Sequence, residues 1–299
     1  LGNGSDTLTF AGGLTATASS SRTVNGTINS TNAAINLGSI ILGGASTLNT
    51  NATTNVADLT IGAVTGANFN LSLATGGVAG AEISGSTVSG VGTLTITNSG
   101  GTTFSGTVGA TTVTLSNTTG TIAFNGALTA TTLNTAVQAY NLALNASSGT
   151  ITDTVTFSNT GTLTLGASGG TLTFTNGLTA TAPSTKYLSG TLAANNTTSA
   201  INLGTTPVSI LATTAIGGTA TGAISLGAIT LADNVTLTLG TGIANAINLT
   251  SVAGTASGLA SNLTINTTGA VAVSGTIGTD IGTLTITNSG GTTFSGTVG

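Results

Sequence analysis

The side chains that could do chemistry in this chain are few and far apart. The sequence contains no histidine and no cysteine, which removes the commonest general base and a common nucleophile. Its acidic residues show no recurrence at matched repeat positions, although two of them could still meet across neighbouring coils as a glycosidase pair. We expect no enzyme activity and keep a polysaccharide-active protein as an alternative. The acidic residues are Asp6, Asp58, Glu82, Asp153, Asp233 and Asp280.

One acidic residue lies in a stretch that resembles a metal site. LGNGSDTLT (Leu1–Thr9) lacks only the first glycine of the calcium-binding nonapeptide GGxGxDxUx. Such a site needs tandem copies, so that carboxylates of adjacent turns share the ion. In the second half of the chain the matching stretch has Gly170 where the first has Asp6. Asp6 is therefore the candidate calcium ligand, with an ordinary glycine-rich corner as the alternative, and no other metal or cofactor is expected.

The two cationic side chains of the chain fall at one repeat position. Arg22 lies in TATASSSRTVNGT and Lys186 in TATAPSTKYLSGT. A positive charge at the same place in two repeats indicates contact with a glycan, a lipid headgroup or a neighbouring rod. The alternative is a solvated loop charge.

Threonine pairs of the form Thr-x-Thr occur along the chain. They resemble the flat ranks of ice-binding solenoids, which must be regular on one face over many coils. Threonine is also a common residue on the outer face of any β-sheet. Ice binding is therefore kept as an alternative function. The pairs are Thr95 and Thr97, Thr112 and Thr114, and Thr285 and Thr287.

The elements that would position these side chains are short strands. Apolar residues alternate with threonine in runs such as LTF (Leu8–Phe10), VTL (Val113–Leu115) and VTLTL (Val235–Leu239). This period of two is typical of half-buried strands. Clusters such as NSGG (Asn98–Gly101) separate the runs, and glycine and asparagine bend a chain at low steric cost. No segment has helical periodicity with capping signals, so essentially no helix is expected.

Internal repeats organise the chain. The stretch GTLTITNSGGTTFSGTVG stands at Gly92–Gly109 and again, unchanged, at Gly282–Gly299, an offset of 282 − 92 = 190 residues. The opening seventeen residues match Leu165–Thr181, and FSGTVGATTV at Phe104–Val113 matches FNGALTATTL twenty residues later. We predict one continuous segment, 1–299, with a large repeat over 1–164 and an incomplete second copy over 165–299.

A repeat of this length predicts a parallel β-helix, or β-solenoid, of roughly 20–25-residue coils. At about 4.8 Å per coil, about 14 coils would form a rod about 65–70 Å long. Phe104 and Phe124 should stack one coil apart. Neither Leu1–Asp6 nor Thr292–Gly299 resembles a cap, so we expect a fragment of a longer repetitive chain.

The composition of the chain excludes some kinds of binding partner. Charged residues are 3% of the chain and the formal net charge is −4, too few charges for a nucleic-acid footprint. No run of about 18 apolar residues is present, so no transmembrane segment is expected in this chain. The nearly uncharged surface favours self-association with other copies, end to end and side by side.

Gly92–Thr131 resembles the Thr/Gly/Asn-rich repeat regions of very large bacterial surface proteins, such as autotransporter passenger domains, filamentous-haemagglutinin-like adhesins and some surface-layer antigens. The resemblance rests on composition and repeat style over the whole chain. It implies an exported β-helix at the bacterial cell surface. The expected function is structural, a filament, sheath or surface layer, with an adhesin stalk that contacts surface glycans as the alternative.

Overall fold

The computed structural model describes residues 1–18 and 22–299. These residues contain strands and no helix, and they coil as a parallel β-solenoid of about 13 turns with about 22 residues in each. The predicted fold class is confirmed, with about one turn fewer than expected. The chain divides into two compact units, Leu1–Leu144 and Asn145–Gly299. The single continuous segment and the repeat boundary at residue 165 stay predictions.

Unit 1 contains fifteen strands in the described residues. They are β1 (Thr7–Phe10), β2 (Leu14–Thr15), β3 (Thr23–Ser30), β4 (Ile35–Leu37), β5 (Ile40–Ala52), β6 (Leu59–Ile61), β7 (Val64–Thr65), β8 (Leu71–Gly76), β9 (Glu82–Gly85), β10 (Val88–Ile96), β11 (Gly101–Phe104), β12 (Val108–Leu115), β13 (Thr121–Phe124), β14 (Leu128–Thr135) and β15 (Asn141–Leu144).

Three parallel ladders run through unit 1. The first ladder joins β1, the second half of β3, the second half of β5, β8 and the second halves of β10, β12 and β14. The second ladder joins β2, β4, β6, β9, β11, β13 and β15. The third joins β7 and the first halves of the long strands. Each turn therefore has three sides, and a long strand crosses from the third ladder into the first.

Unit 2 contains fifteen further strands. They are β16 (Ser148–Ile151), β17 (Val155–Thr156), β18 (Thr162–Leu165), β19 (Thr171–Phe174), β20 (Leu178–Thr179), β21 (Thr185–Ala194), β22 (Ile201–Asn202), β23 (Val208–Gly218), β24 (Ile224–Leu231), β25 (Thr236–Leu239), β26 (Ile247–Gly254), β27 (Ser261–Asn266), β28 (Val271–Val273), β29 (Ile281–Asn288) and β30 (Thr292–Phe294).

The same three-ladder arrangement holds within unit 2. Its first ladder includes β16, β19, β25, β27 and β29, and its second includes β17, β20, β22, β28 and β30. Its third ladder begins with β18 and the first residues of β21 and β23. All these pairings are parallel, because each strand pairs with its equivalent one turn later.

The core is built from inward aliphatic columns, as the alternating runs predict. In the third ladder of unit 1, Ile40, Val64, Val88, Val108 and Leu128 follow one another in register, each at most 2% exposed. Burial of aliphatic surface at roughly 25 cal/mol per Å² is the main stabilising contribution to such a stack. Each turn thus covers the apolar edge of the one before.

The predicted phenylalanine stack is present in the second ladder. The rings of Phe104 and Phe124 lie 5.6 Å apart at an interplanar angle of 10°. Phe104 pairs with Gly85 in the preceding turn, and a Cβ on that glycine would lie 2.5 Å from the Phe104 ring. Gly85 therefore provides the space that the larger ring occupies.

Inward hydroxyl groups close the corner between the first and second ladders of unit 1. Thr50 Oγ1 lies 2.6 Å from the carbonyl oxygen of Ala57 and 3.0 Å from that of Thr75, one turn later, so its one proton can be donated to either. Thr75 Oγ1 donates to the carbonyl of Ala81 at 2.7 Å. Both threonines are fully buried. They bond carbonyl groups at this corner, and a buried carbonyl without a donor is costly.

Candidate functional site

The most regular outward feature of unit 1 is a column of small polar side chains on its first ladder. We call it the outer Thr column; its members stand in register over successive turns. Their side chains point to solvent because they alternate with the buried aliphatic residues of the same strands. The members are Thr7, Thr27, Thr47, Ser72, Thr95, Thr114 and Asn134.

A second polar column runs beside the first, two residues earlier in each strand. We call it the flanking column; it contains Asn70, Thr93, Thr112 and Thr132. The amide oxygen of Asn70 accepts a hydrogen bond from the backbone N–H of Thr93 at 2.9 Å, which ties consecutive turns together. The two columns give this face of unit 1 a two-dimensional order.

A shallow groove lies between the two columns. Its volume is about 270 Å³, and it runs from Gly4 and Ser5 to Thr93 and Thr95. No charged side chain lines it. The groove therefore offers hydroxyl, amide and methyl groups, arranged with the period of the turns.

The predicted Thr-x-Thr pairs lie partly in register. Thr112 pairs with Thr93, and Thr114 pairs with Thr95. Serine and asparagine occupy other positions of the same column, at Ser72 and Asn134. The outer Thr column therefore contains serine and asparagine as well as threonine, and ice binding stays an alternative prediction.

Unit 2 has its own outward column on its first ladder. Threonine is the commonest member here too, and the column contains no charged residue. Its successive members are Thr171, Thr191, Ala215, Thr238, Thr264 and Thr285.

The two cations are buried rather than solvated. Lys186 is 0% exposed and Arg22 is 8% exposed. Lys186 stands in the third ladder of unit 2 between Leu163 and Val208, at a position that otherwise carries inward aliphatic residues. The alternative of a solvated loop charge therefore does not describe Lys186, and its predicted role as a contact stays a prediction.

The ammonium group of Lys186 is held by oxygen atoms of two corners. Nζ lies 3.3 Å from the carbonyl oxygen of Thr206 and 3.5 Å from that of Pro183, and it also bonds Thr206 Oγ1. Thr206 Oγ1 itself donates to the Pro183 carbonyl at 2.8 Å. Burial lowers the pKa of Lys186 to about 8, because loss of hydration disfavours its charged form.

Arg22 occupies the equivalent place in unit 1. Its carbonyl oxygen accepts from the N–H of Ile41 at 2.8 Å, so its side chain stands in the same column as Ile40. Nη1 donates to the carbonyl of Ser39 at 2.9 Å. The guanidinium packs against Gly38, where a Cβ would lie 3.0 Å from Nη1. Both cations therefore bond carbonyls of the corner in the following turn, and the shared repeat position has a shared geometry.

Two acidic residues occupy matched positions that the repeats in the sequence did not show. Asp58 and Glu82 each precede a paired residue of the second ladder, Leu59 and Ile83. The backbone N–H of Glu82 donates to Asp58 Oδ1 at 2.9 Å, so the residues are neighbours in consecutive turns. Both side chains are exposed. These two acids therefore do meet across neighbouring turns, although the sequence shows no recurrence, because turns of unequal length hide the register.

The predicted calcium ligand, Asp6, is exposed, and its carbonyl oxygen accepts from the N–H of Thr27 at 2.9 Å. Within residues 1–18 and 22–299, no three acidic side chains come together as a metal-binding group. Calcium at Asp6 stays a prediction. Among the remaining acids, Asp233 Oδ1 bonds the hydroxyl of Thr255.

Comparison with known proteins found no relative of this chain. No family model matches the chain, and no curated protein or solved structure matches it significantly. In the part of the chain that the structure describes, no helix is long and apolar enough to cross a membrane.

Proposed function

We propose that the protein is structural: a β-solenoid that associates with other copies of itself to form a filament, sheath or surface layer on a bacterial cell. The outer Thr column carries this proposal. Its seven members repeat an uncharged surface in register from turn to turn. A surface that repeats once per turn and carries no net charge can pack against copies of itself without electrostatic repulsion.

The extracellular, bacterial location is part of the proposal. It is supported by the resemblance of Gly92–Thr131 to repeat regions of large bacterial surface proteins and by the β-solenoid fold, which is compatible with such a region. End-to-end association would follow the same principle, since each turn of a solenoid presents the apolar edge and open strand that the next turn covers.

The experiment is sedimentation velocity of the purified chain over a range of concentrations, followed by electron microscopy of the concentrated sample. Ordered filaments or sheets that form reversibly would support the proposal. A chain that stays monomeric at high concentration and binds surface glycans would contradict it, and would support the adhesive stalk instead.

One observation favours a second candidate, a polysaccharide-active solenoid. Asp58 and Glu82 place two exposed carboxyl groups in consecutive turns, and a pair of carboxyl groups is what most glycosidases use. The test is release of reducing ends from neutral and acidic polysaccharides. Activity that is lost in both Asp58→Asn and Glu82→Gln, with unchanged circular dichroism, would establish this function. Equal release by the wild type and both variants would exclude the pair.

A further inference from the structure

The groove on the first ladder of unit 1 has a shape that restricts what can fill it. One side carries Thr47, Ser72 and Thr95 of the outer Thr column, and the other carries Ala45, Asn70 and Thr93. Residues on each side repeat once per turn. Because stacked strands are about 4.8 Å apart, a ridge that fits the groove over several turns must have the same spacing. The outer column of another β-solenoid has that spacing.

The chemistry of the groove is self-complementary. Hydroxyl groups of threonine and serine and the amide of Asn70 each both donate and accept hydrogen bonds. Asp6 is exposed at the first turn, next to Ser5, whereas Asp58 and Glu82 adjoin the second ladder and not this face. Two antiparallel copies keep their Asp6 side chains at opposite ends of the contact, so like charges are not brought together, which would cost free energy.

The face supplies more than half of the area of a typical specific contact. Seven turns at about 4.8 Å spacing, with two columns that each occupy about 7 Å along the strands, make a face of about 470 Å². Specific interfaces bury about 800 Å² on each partner. The groove and the outer Thr column lie side by side, so a two-fold axis would place each column in the other copy's groove.

We propose that the groove between the outer Thr column and the flanking column of unit 1 receives the outer Thr column of a second copy of this chain. The inference rests on the proposed function, since it names the face through which lateral self-association takes place. The contact is isologous, with the same patch used by both copies.

The test compares two matched double variants of the full chain. Thr47→Lys with Ser72→Lys places two like charges on the proposed face, in consecutive turns. Thr65→Lys with Ser89→Lys places the same charges, in consecutive turns of the third ladder. All four side chains point outward, so circular dichroism and the melting temperature should stay close to those of the wild type in both. We expect the first variant to weaken self-association about 100-fold and the second to change it less than about threefold.

A second measurement is independent of charge. The chain has no cysteine, so Thr47→Cys and Thr65→Cys each give a single labelling site. A spin label at position 47 should become immobile when the protein assembles, whereas a label at position 65 should stay mobile.

The outcomes separate this inference from the proposed function. If the wild type assembles and both lysine variants weaken assembly equally, or neither does, the groove is not the interface, although self-association stands. A wild type that never assembles contradicts both. A monomer that binds ice or a polysaccharide through Thr47 and Ser72 assigns the groove to that ligand and overturns the second copy as its occupant.

Discussion

Replacement of Lys186 by methionine should stabilise the protein at neutral pH. The side chain is 0% exposed and stands between Leu163 and Val208, so an unbranched apolar side chain of similar length fits its column. Its pKa is lowered to about 8 from 10.5 by burial. At about 1.4 kcal/mol per pKa unit, the charged form costs the folded state about 3 kcal/mol.

The hydrogen bonds of the ammonium group oppose this gain. Without it, the carbonyl of Thr206 loses a donor, whereas the carbonyl of Pro183 keeps the hydroxyl of Thr206. An unpaired buried acceptor costs about 1–3 kcal/mol. We therefore expect Lys186→Met to raise the free energy of unfolding by about 1–2 kcal/mol at pH 7, as is often found when buried charges are replaced by apolar groups.

The pH dependence has a definite sign. Between pH 8 and 10.5 the unfolded chain keeps the lysine proton and the folded chain releases it, so the stability contribution of Lys186 rises with pH. The advantage of Lys186→Met should therefore shrink from pH 7 to pH 10. Urea denaturation of both proteins at the two pH values measures this difference. Arg22→Met is the control, because a guanidinium does not titrate in this range.

A methionine variant that is less stable than the wild type at pH 7, by the same amount at pH 10, would refute the reasoning. It would mean that the carbonyl groups of Pro183 and Thr206 stabilise the ammonium ion more than burial destabilises it.

Three further substitutions test the packing. Phe124→Ala should lower the free energy of unfolding of unit 1 by about 3–5 kcal/mol in urea titrations, because it leaves a cavity beside the Phe104 ring. Thr50→Val should cost about 1–3 kcal/mol, detected as faster hydrogen exchange of the neighbouring turns, because it removes the hydroxyl that the carbonyls of Ala57 and Thr75 share. Gly120→Ala should lower the melting temperature, because its Cβ would lie 1.8 Å from a backbone oxygen; Gly77→Ala, with nothing within 4 Å, should be tolerated.

The fold was predictable because every local signal agrees with it. Alternating runs such as VTL at Val113–Leu115 become strands with buried valine and leucine, and Asn98 and Asn117 adopt positive φ values of 46° and 50° in the predicted corners. The twenty-residue offset between Phe104 and Phe124 equals one turn, so their stacking could be predicted from the sequence.

The sequence did not predict which of the three ladders each strand belongs to. FAGGLTAT at Phe10 and FNGALTAT at Phe124 look alike, yet Phe10 lies on the first ladder and Phe124 on the second. Any corner accepts glycine and asparagine after an apolar residue, so the sequence motif does not identify the side.

The candidate site was only partly predictable, because turn length varies. Asp58 and Glu82 lie 24 residues apart, whereas Phe104 and Phe124 lie 20 apart, so no fixed offset aligns both pairs. The burial of Lys186 was hidden for another reason. Its flanking residues, Thr185 and Tyr187, suit an outer face, and only the ladder register shows that the lysine itself points inward.

Cryo-electron microscopy of the native assembly tests the central proposal most directly. We predict an axial spacing of about 4.8 Å and solenoids packed side by side, with the outer Thr column of unit 1 at the contact. Isolated particles without lateral order at the same concentration, or an assembly that lacks the spacing of about 4.8 Å, would contradict it.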